Sequence, residues 1–434
     1  MGDDIRPAGP PGRAGTQAPT LDRRRFLTLA AAGGASVVLS TTGSADPAAA
    51  AAGTRVYVLV VDGCRPGEIS TGLTPRLAAV RKAGANFPEA RAMPITQTLP
   101  NHVMMMTGVR PDRSGVPANF IYDRAEKRTR QVARAGDLVF PTLLDRLRST
   151  GRRTGSVLSK EYLHTVFGTR ANYRWEPYPL NPITDHASDS TTVDALITMV
   201  RRFDPDLVFV NLGDVDRIGH AAIPGLTRDV ARATSLINVD RQVGRFIDHL
   251  KAAGKWSSSM LVVLADHSMD WSVPDRIVSI NGILASRPDL RGSIAMARNG
   301  GSNLLYWTGS SSARSAGLAA IRRLVSAHRG ILAVHHSSTV RLGPKGGDLV
   351  VYCRAGWRFS DSTEAVFVPG NHGHPATEPI PFFIGGGSPK VRRGVSFPDP
   401  VRTIDVAPTV GALFRLGAPS GGYDGTARTK ALAL

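Results

Sequence analysis

The sequence predicts an α/β fold: a doubly wound, largely parallel sheet flanked by helices, with a small α+β cap inserted late in the chain. Three observations predict it. Apolar runs at 56–61, 207–211 and 261–265 have the length of strands buried on both faces. Helical stretches alternate with such runs, as in a parallel sheet. Each of the three is followed closely by metal-type ligands: Asp62, then Asp216 with His220, then Asp266 with His267. Open α/β sheets bind ligands beyond the carboxyl ends of their strands, so these side chains should gather on one rim.

From the N-terminus, residues 1–20 are rich in Gly, Pro and Ala and read as disordered. Arg23-Arg24-Arg25-Phe26-Leu27 follows, then a weakly apolar stretch to Leu39 and small residues from Ser44 to Ala52. That is the order of an export signal: basic, apolar, then a cleavage zone. Arg23-Arg24-x-Phe26-Leu27 resembles the twin-arginine signal, so the twin-arginine export machinery is an expected partner and an extracellular or cell-envelope location is expected. The apolar part is short for a membrane span, and none is expected in the mature chain. Residues 1–52 are therefore read as signal and linker, and 53–434 as one α/β unit.

Within that unit, a strand is expected at 55–61 and a helix at 74–83. A helix at 101–107 places Thr98 beside its N-terminus, where backbone N–H groups favour anions. Then come a helix at 142–150, a strand at 154–158, a helix at 190–202 and a strand at 206–211. A long amphipathic helix at 226–253 and a strand at 260–265 continue the alternation. Residues 275–365 break it, with a helix at 313–326 and strands at 331–334 and 348–353; this is the predicted cap. The core resumes with a strand-like run at 379–386 and closes with a helix at 403–416.

The chain has 434 residues, 42% hydrophobic and 20% charged, enough apolar material for one large core. Its net charge of +18 is dispersed rather than blocked. That fits either an Arg-rich composition or steering of anionic substrates such as phosphates. No finger, zipper or aromatic-basic pattern is present, so no specific nucleic-acid-binding motif is expected. The two cysteines, Cys64 and Cys353, are not in a Cys-x-x-Cys pair, which argues against cysteine-held zinc. Cys64 reads as a small buried hydrophobe, and a Cys64–Cys353 disulfide is left open.

A two-metal centre needs about six nitrogen and oxygen ligands beside a nucleophile. The chain offers Asp62, Asp216, His220, Asp266, His267 and His372, with the Thr98 hydroxyl. Each alone has a plainer reading, as a helix cap or a structural histidine. Two arrangements are stronger: Asp266 adjacent to His267 after an apolar run, and Asp216-Arg-Ile-Gly-His220, whose glycine permits a tight return. Two divalent cations, zinc foremost, are the expected cofactors, and a small phosphorylated molecule the expected substrate.

Five segments in order then identify a resemblance: Val61-Asp62-Gly-Cys-Arg-Pro66, Pro94-Ile-Thr-Gln-Thr98-Leu-Pro-Asn-His102, Asp216-Arg-Ile-Gly-His220, Ala265-Asp266-His267-Ser-Met269 and Gly370-Asn-His372-Gly373. The chain resembles the type I phosphodiesterase/nucleotide pyrophosphatase branch of the alkaline phosphatase superfamily across nearly all of residues 55–434. The resemblance implies that Thr98 is a nucleophile forming a covalent phospho-threonine. It implies one metal held by Asp62, Asp266 and His267 with Thr98 beside it, and another held by Asp216, His220 and His372. Asn119, in Gly115-Val-Pro-Ala-Asn119, would contact a non-bridging phosphoryl oxygen together with the Leu99 N–H. Lys160 resembles a substrate-binding lysine of phosphonoacetate hydrolases, with Tyr162 where their second lysine stands; an ordinary surface lysine is the alternative.

His102, His164, His186, His335, His336 and His374 fall outside the ligand pattern, with His374 the best placed of them to touch substrate. Two departures keep every ligand: Ser268 stands where the family has Gly, and Ser114 precedes Gly115 where it has His. The implied function is hydrolysis of phosphodiester or nucleotide pyrophosphate bonds. The alternatives are a phosphomonoesterase or phosphonate hydrolase on the same core, and an inactive metal-binding surface protein. Walls for the leaving group are expected from 160–190 and from the cap.

Overall fold

The computed structural model describes residues 20–21, 53–181, 184–221, 227–361 and 370–434; the export-signal reading of 22–52 lies outside them. Along the chain, β1 (Arg55–Val61), β2 (Ala85–Asn86), β3 (Thr154–Leu158), β4 (Tyr173–Trp175), β5 (Leu207–Leu212) and β6 (Ser259–Leu264) come first. Next come β7 (Ile294–Asn299), β8 (Ser302–Trp307), β9 (Ile331–His336) and β10 (Leu349–Cys353). Last are β11 (Phe382–Gly386) and β12 (Val395–Ser396).

The large sheet has nine strands in the order Thr20–Leu21, β4, β3, β5, β1, β6, β11, β2, β12. Pairing is parallel from Thr20–Leu21 through β6. The run at 379–386 re-enters as β11, antiparallel to both β6 and β2. β1 lies centrally because Val56–Val61 is apolar on both faces and buried throughout. Its Val60 pairs with Asn211 of β5 on one side and Leu264 of β6 on the other. That level register brings together the carboxyl ends of the three strands that precede the candidate ligands.

Flanking helices follow the sequence reading with shifted ends. Pro75–Ala83, Leu143–Arg148, Asp189–Phe203 and the 25-residue Arg228–Ala252 are observed. The expected helix at 403–416 is a 3-10 turn, Thr403–Asp405, followed by Val406–Leu413; it ends early because Arg415 adopts a left-handed φ of 54°. The helix Glu161–Phe167, strand β4 and the hairpin Phe120–Asp123/Arg128–Gln131 were not predicted, since each is too short to show a period. Thr20–Leu21, at the edge of the stretch read as disordered, pairs with β4.

The segment read as a cap forms a second, antiparallel sheet, β7-β8-β10-β9, covered by the helix Arg314–Ser326. Leu305, Trp307, Ile321 and Val351 belong to its own apolar cluster. Cys64 and Cys353 are both buried and unpaired. Cys64 follows β1 while Cys353 ends β10, so a disulfide between them is not formed. Among the described residues, no helix is long and apolar enough to cross a membrane.

Candidate active site

The first loop of the rim is shaped by Gly63, whose φ is 71°. A Cβ there would lie 3.1 Å from Cβ of Asp216, so glycine lets the Asp62 loop close on the next ligand segment. Asp216 sits in the first turn of the helix Asp214–His220, which places His220 four residues on along the same face. His220 Nε2 is 3.3 Å from Asp216 Oδ1. Asp266 and His267 leave β6 directly. His372 returns from far along the chain because Gly370–Asn371 pairs antiparallel with Asp270–Trp271. Its ring stacks on that of His267, with centroids 3.7 Å apart.

Thr98 is the first residue of the helix Thr98–Thr107, three residues earlier than the expected start. Its Oγ1 is 3.2 Å from His267 Nε2. His102, one turn on, bonds through Nδ1 to the Thr98 carbonyl at 2.8 Å. Asn211 donates Nδ2–H to Asp62 Oδ2 at 2.8 Å and lies 3.1 Å from His102 Nε2. Asn211 and His102 thus brace Asp62 and Thr98 from below. Asn211 carried a signal in the sequence, a polar residue inside a strand buried at every position.

The donors fit divalent metal. Asp216, His220 and His372 offer ligand atoms all within 4.8 Å of one another, as do Asp62, Asp216 and His267. Asp62, His102 and Asp266 also meet that distance, but His102 Nδ1 is engaged by the Thr98 carbonyl. His267 Nε2 is the better ligand, 3.6 Å from Asp62 Oδ1 and 3.4 Å from Asp266 Oδ2. Asp62 Oδ1, Asp216 Oδ1 and Asp266 Oδ2 are buried and accept no hydrogen bond, which a cation would remedy.

Without a cation the four groups divide: burial and crowding favour protonated Asp266, and burial at His220 is overridden by Asp216, which favours the protonated ring, whereas Asp216 and His372 are held in their ligand forms. Burial, then the neighbouring Asp62, push the Asp266 carboxyl well above the usual range. Burial opposes charge on Asp216 too, but the Lys160 ammonium and His220 override it and hold Asp216 well below that range. Burial and the adjacent His267 hold His372 well below its ordinary value. That favours the neutral imidazole, the ligand form.

Thr98, Asn119, Phe120, Lys160, Tyr162, His186, Asp216, His220 and His372 line one cavity of about 620 Å³. Lys160 is 1% exposed, so the surface-lysine alternative is wrong. The Leu99 N–H, expected to face a phosphoryl oxygen, instead donates to Asn119 Oδ1 at 2.9 Å. That bond fixes the amide plane and leaves Nδ2 as the donating end. His374 is fully buried with Nε2 on Asp270 Oδ2 at 3.0 Å, a structural role rather than a substrate contact.

The 160–186 segment does line the cavity, but among the described residues none of the cap does. The hairpin Phe120–Asp123/Arg128–Gln131 stands between, since Phe120 N donates to Asn299 Oδ1 of β7 at 2.9 Å and Thr129 Oγ1 to Met296 O.

The family model for type I phosphodiesterase / nucleotide pyrophosphatase matches residues 56–375. Bis(5'-adenosyl)-triphosphatase enpp4 of Xenopus laevis is 24% identical over 237 residues, which are 52% of this chain and 50% of that protein. Human ectonucleotide pyrophosphatase/phosphodiesterase family member 5 is 23% identical over 237 residues, 53% of this chain and 48% of that protein. The chain thus spans about half the length of the curated relatives it matches. Murine ectonucleotide pyrophosphatase / phosphodiesterase 5 shares the fold at TM-score 0.72 and 19% identity, covering 87% of this chain and 100% of that one. An inactive Thr-to-Ala variant of the same murine protein, in complex with AMP, aligns equally well, at TM-score 0.72 and 18% identity, covering 88% of this chain and 100% of that one. With the family model covering most of its length, the chain belongs to the type I phosphodiesterase/nucleotide pyrophosphatase family, within the alkaline phosphatase superfamily.

Proposed function

We propose that this protein is an exported phosphohydrolase with two zinc ions, cleaving phosphodiester or nucleotide pyrophosphate bonds through a phospho-threonine on Thr98. The observation that carries this is the setting of Thr98. Its hydroxyl stands at a helix N-terminus, 3.2 Å from His267 Nε2, on a cavity whose wall also holds Asp216, His220 and His372. Asp62, Asp266 and His267 would hold one metal, and Asp216, His220 and His372 the other. Bound there, the dications would lower the pKa of the hydroxyl and offset charge on the phosphoryl and leaving oxygens.

Thr98 Oγ1 attacks phosphorus, forming the P–Oγ1 bond as the bond to the leaving oxygen breaks. Asn119 Nδ2–H donates to a non-bridging oxygen, and the Leu99 N–H holds that amide in place. The hydroxyl proton passes to solvent through the open cavity, and the leaving oxygen takes a solvent proton. Water then attacks phosphorus, the P–Oγ1 bond breaks, and Thr98 regains its proton.

Paired aryl phosphate mono- and diesters test the reaction, with the diester expected to turn over faster. A strong monoester preference overturns the diesterase reading. Thr98→Ala should lower kcat by roughly 10³-fold or more. Acid-quenched wild type should carry a phosphoryl group on the peptide containing Thr98. Full turnover by the variant would rule out the covalent step. Export rests on Arg23-Arg24-x-Phe26-Leu27. Replacing both arginines by lysine should retain the protein in the cytoplasm, and unchanged secretion would remove export from this reading.

A further inference from the structure

Lys160 follows β3, at the point where the chain meets the rim. Its Nζ lies 2.8 Å from Asp62 Oδ2 and 2.8 Å from Asp216 Oδ2, and 3.4 Å from Thr98 Oγ1. The two carboxylates are divided in the same way. Each gives Oδ2 to the ammonium and keeps Oδ1 free of hydrogen bonds. Asp62 Oδ1 faces His267 at 3.6 Å, and Asp216 Oδ1 faces His220 at 3.3 Å and His372 at 3.8 Å. The ammonium therefore sits between the two ligand sets, on the side away from the imidazoles. The side chain is buried, and the backbone bridges to His186.

We infer that Lys160 is a resident counter-ion shared by the two metal half-sites, a positioning residue that sets how tightly metal binds. This rests on the two-metal reading. Asp62, Asp216 and Asp266 are three buried carboxylates in one small volume. Buried carboxylates without a compensating cation are strongly unfavourable. Lys160 supplies one fixed positive charge to two of them whether or not metal is present. Once dications arrive, the same ammonium is a like charge a few ångströms away. It therefore stabilises the metal-free centre more than the loaded one, and by linkage that difference weakens metal binding. A lysine that merely filled space would have the opposite signature, since its loss would loosen the ligands and weaken metal binding.

The test compares zinc affinity of the full chain and its Lys160→Met variant by competition with a chromophoric chelator. The variant should bind zinc at least about ten-fold more tightly. Without metal its Tm should fall by several degrees, and zinc loading should close most of that gap. Lys160→Gln keeps a donor but drops the charge. It serves as the second variant if Lys160→Met folds only with zinc, its affinity then read from zinc release to the chelator. Two zinc ions bound with equal or weaker affinity in the variants would overturn the counter-ion role and leave the two-metal reading standing. No zinc bound by either form would overturn the two-metal reading and the counter-ion role with it.

Discussion

Asn119 and Thr98 are both oriented by backbone before any substrate arrives. Thr98 takes its place from the helix it begins, and its carbonyl is held by His102. Asn119 takes its orientation from the Leu99 N–H, one residue past Thr98, so the proposed donor and nucleophile are held by one piece of backbone. Asn119→Ala should therefore lower kcat by about 10²–10³-fold, typical for loss of one donor to a developing oxyanion. Its Tm should stay close to wild type, and an unchanged kcat would remove Asn119 from the reaction. The identity of these residues was legible in the sequence through the motifs that hold them. The bond between them was not, because Leu99 and Asn119 are twenty residues apart and meet only when the chain from 108 to 118 folds back.

At the scale of elements, the helix Arg228–Ala252 reaches the rim through one buried side chain, Arg232. Its Nη1 donates to Val215 O at 2.7 Å and its Nη2 to Gly63 O at 2.7 Å. Nε and Nη2 also form a fork on Glu68, at 2.8 and 2.7 Å. One guanidinium thus ties the loop of Asp62 to the helix of Asp216, a planar geometry lysine would not reproduce. Arg232→Met should cost about 3–5 kcal/mol in urea unfolding, since it strips Glu68 of its guanidinium partner, leaving the Arg65 N–H on Oε2, and takes a donor from each of two carbonyls. Adding Glu68→Gln should recover part of that loss; a double variant no more stable than the single one contradicts the pairing. Nothing in the sequence marked Arg232, one arginine among many on a helix whose amphipathic pattern explained it already.

For the whole molecule, several carboxylates on the periphery are held ionised by arginines and lysines. Burial raises Asp137, Asp204 and Asp424, but their partners more than offset it. Those partners are Arg130 on Asp137, Arg55 and Lys255 on Asp204, and the Arg110 N–H with Arg341 on Asp424; all three carboxyls titrate below their ordinary value. As pH falls, the unfolded chain takes up these protons before the folded one does. Their stabilisation is full above the ordinary carboxylate range, about pH 4, and is lost as pH falls through the lower folded values. The urea midpoint should begin to fall below about pH 6.5, where the unfolded chain protonates His102 and His186 while burial keeps them neutral in the folded one, and should drop more steeply below about 4 as these carboxylates take up protons. Asp137→Asn should make that acid limb shallower, and an unaltered slope would remove Asp137 from the account.

The sequence by itself determined the strands and grouped the candidate ligands. Apolar runs of strand length specify β1, β5 and β6 because only a doubly covered position suits them, and parallel strands must end on a common rim. That is why Asp62, Asp216 and Asp266 could be grouped although they are scattered along the chain. Tertiary structure alone decided what lies between them. Whether Lys160 faces water or two carboxylates, whether the Leu99 N–H is free, and whether the cap or the 120–131 hairpin walls the cavity all depend on contacts between distant segments. Local pattern encodes periodicity and burial. It does not encode which oxygen of a carboxylate a buried ammonium will occupy.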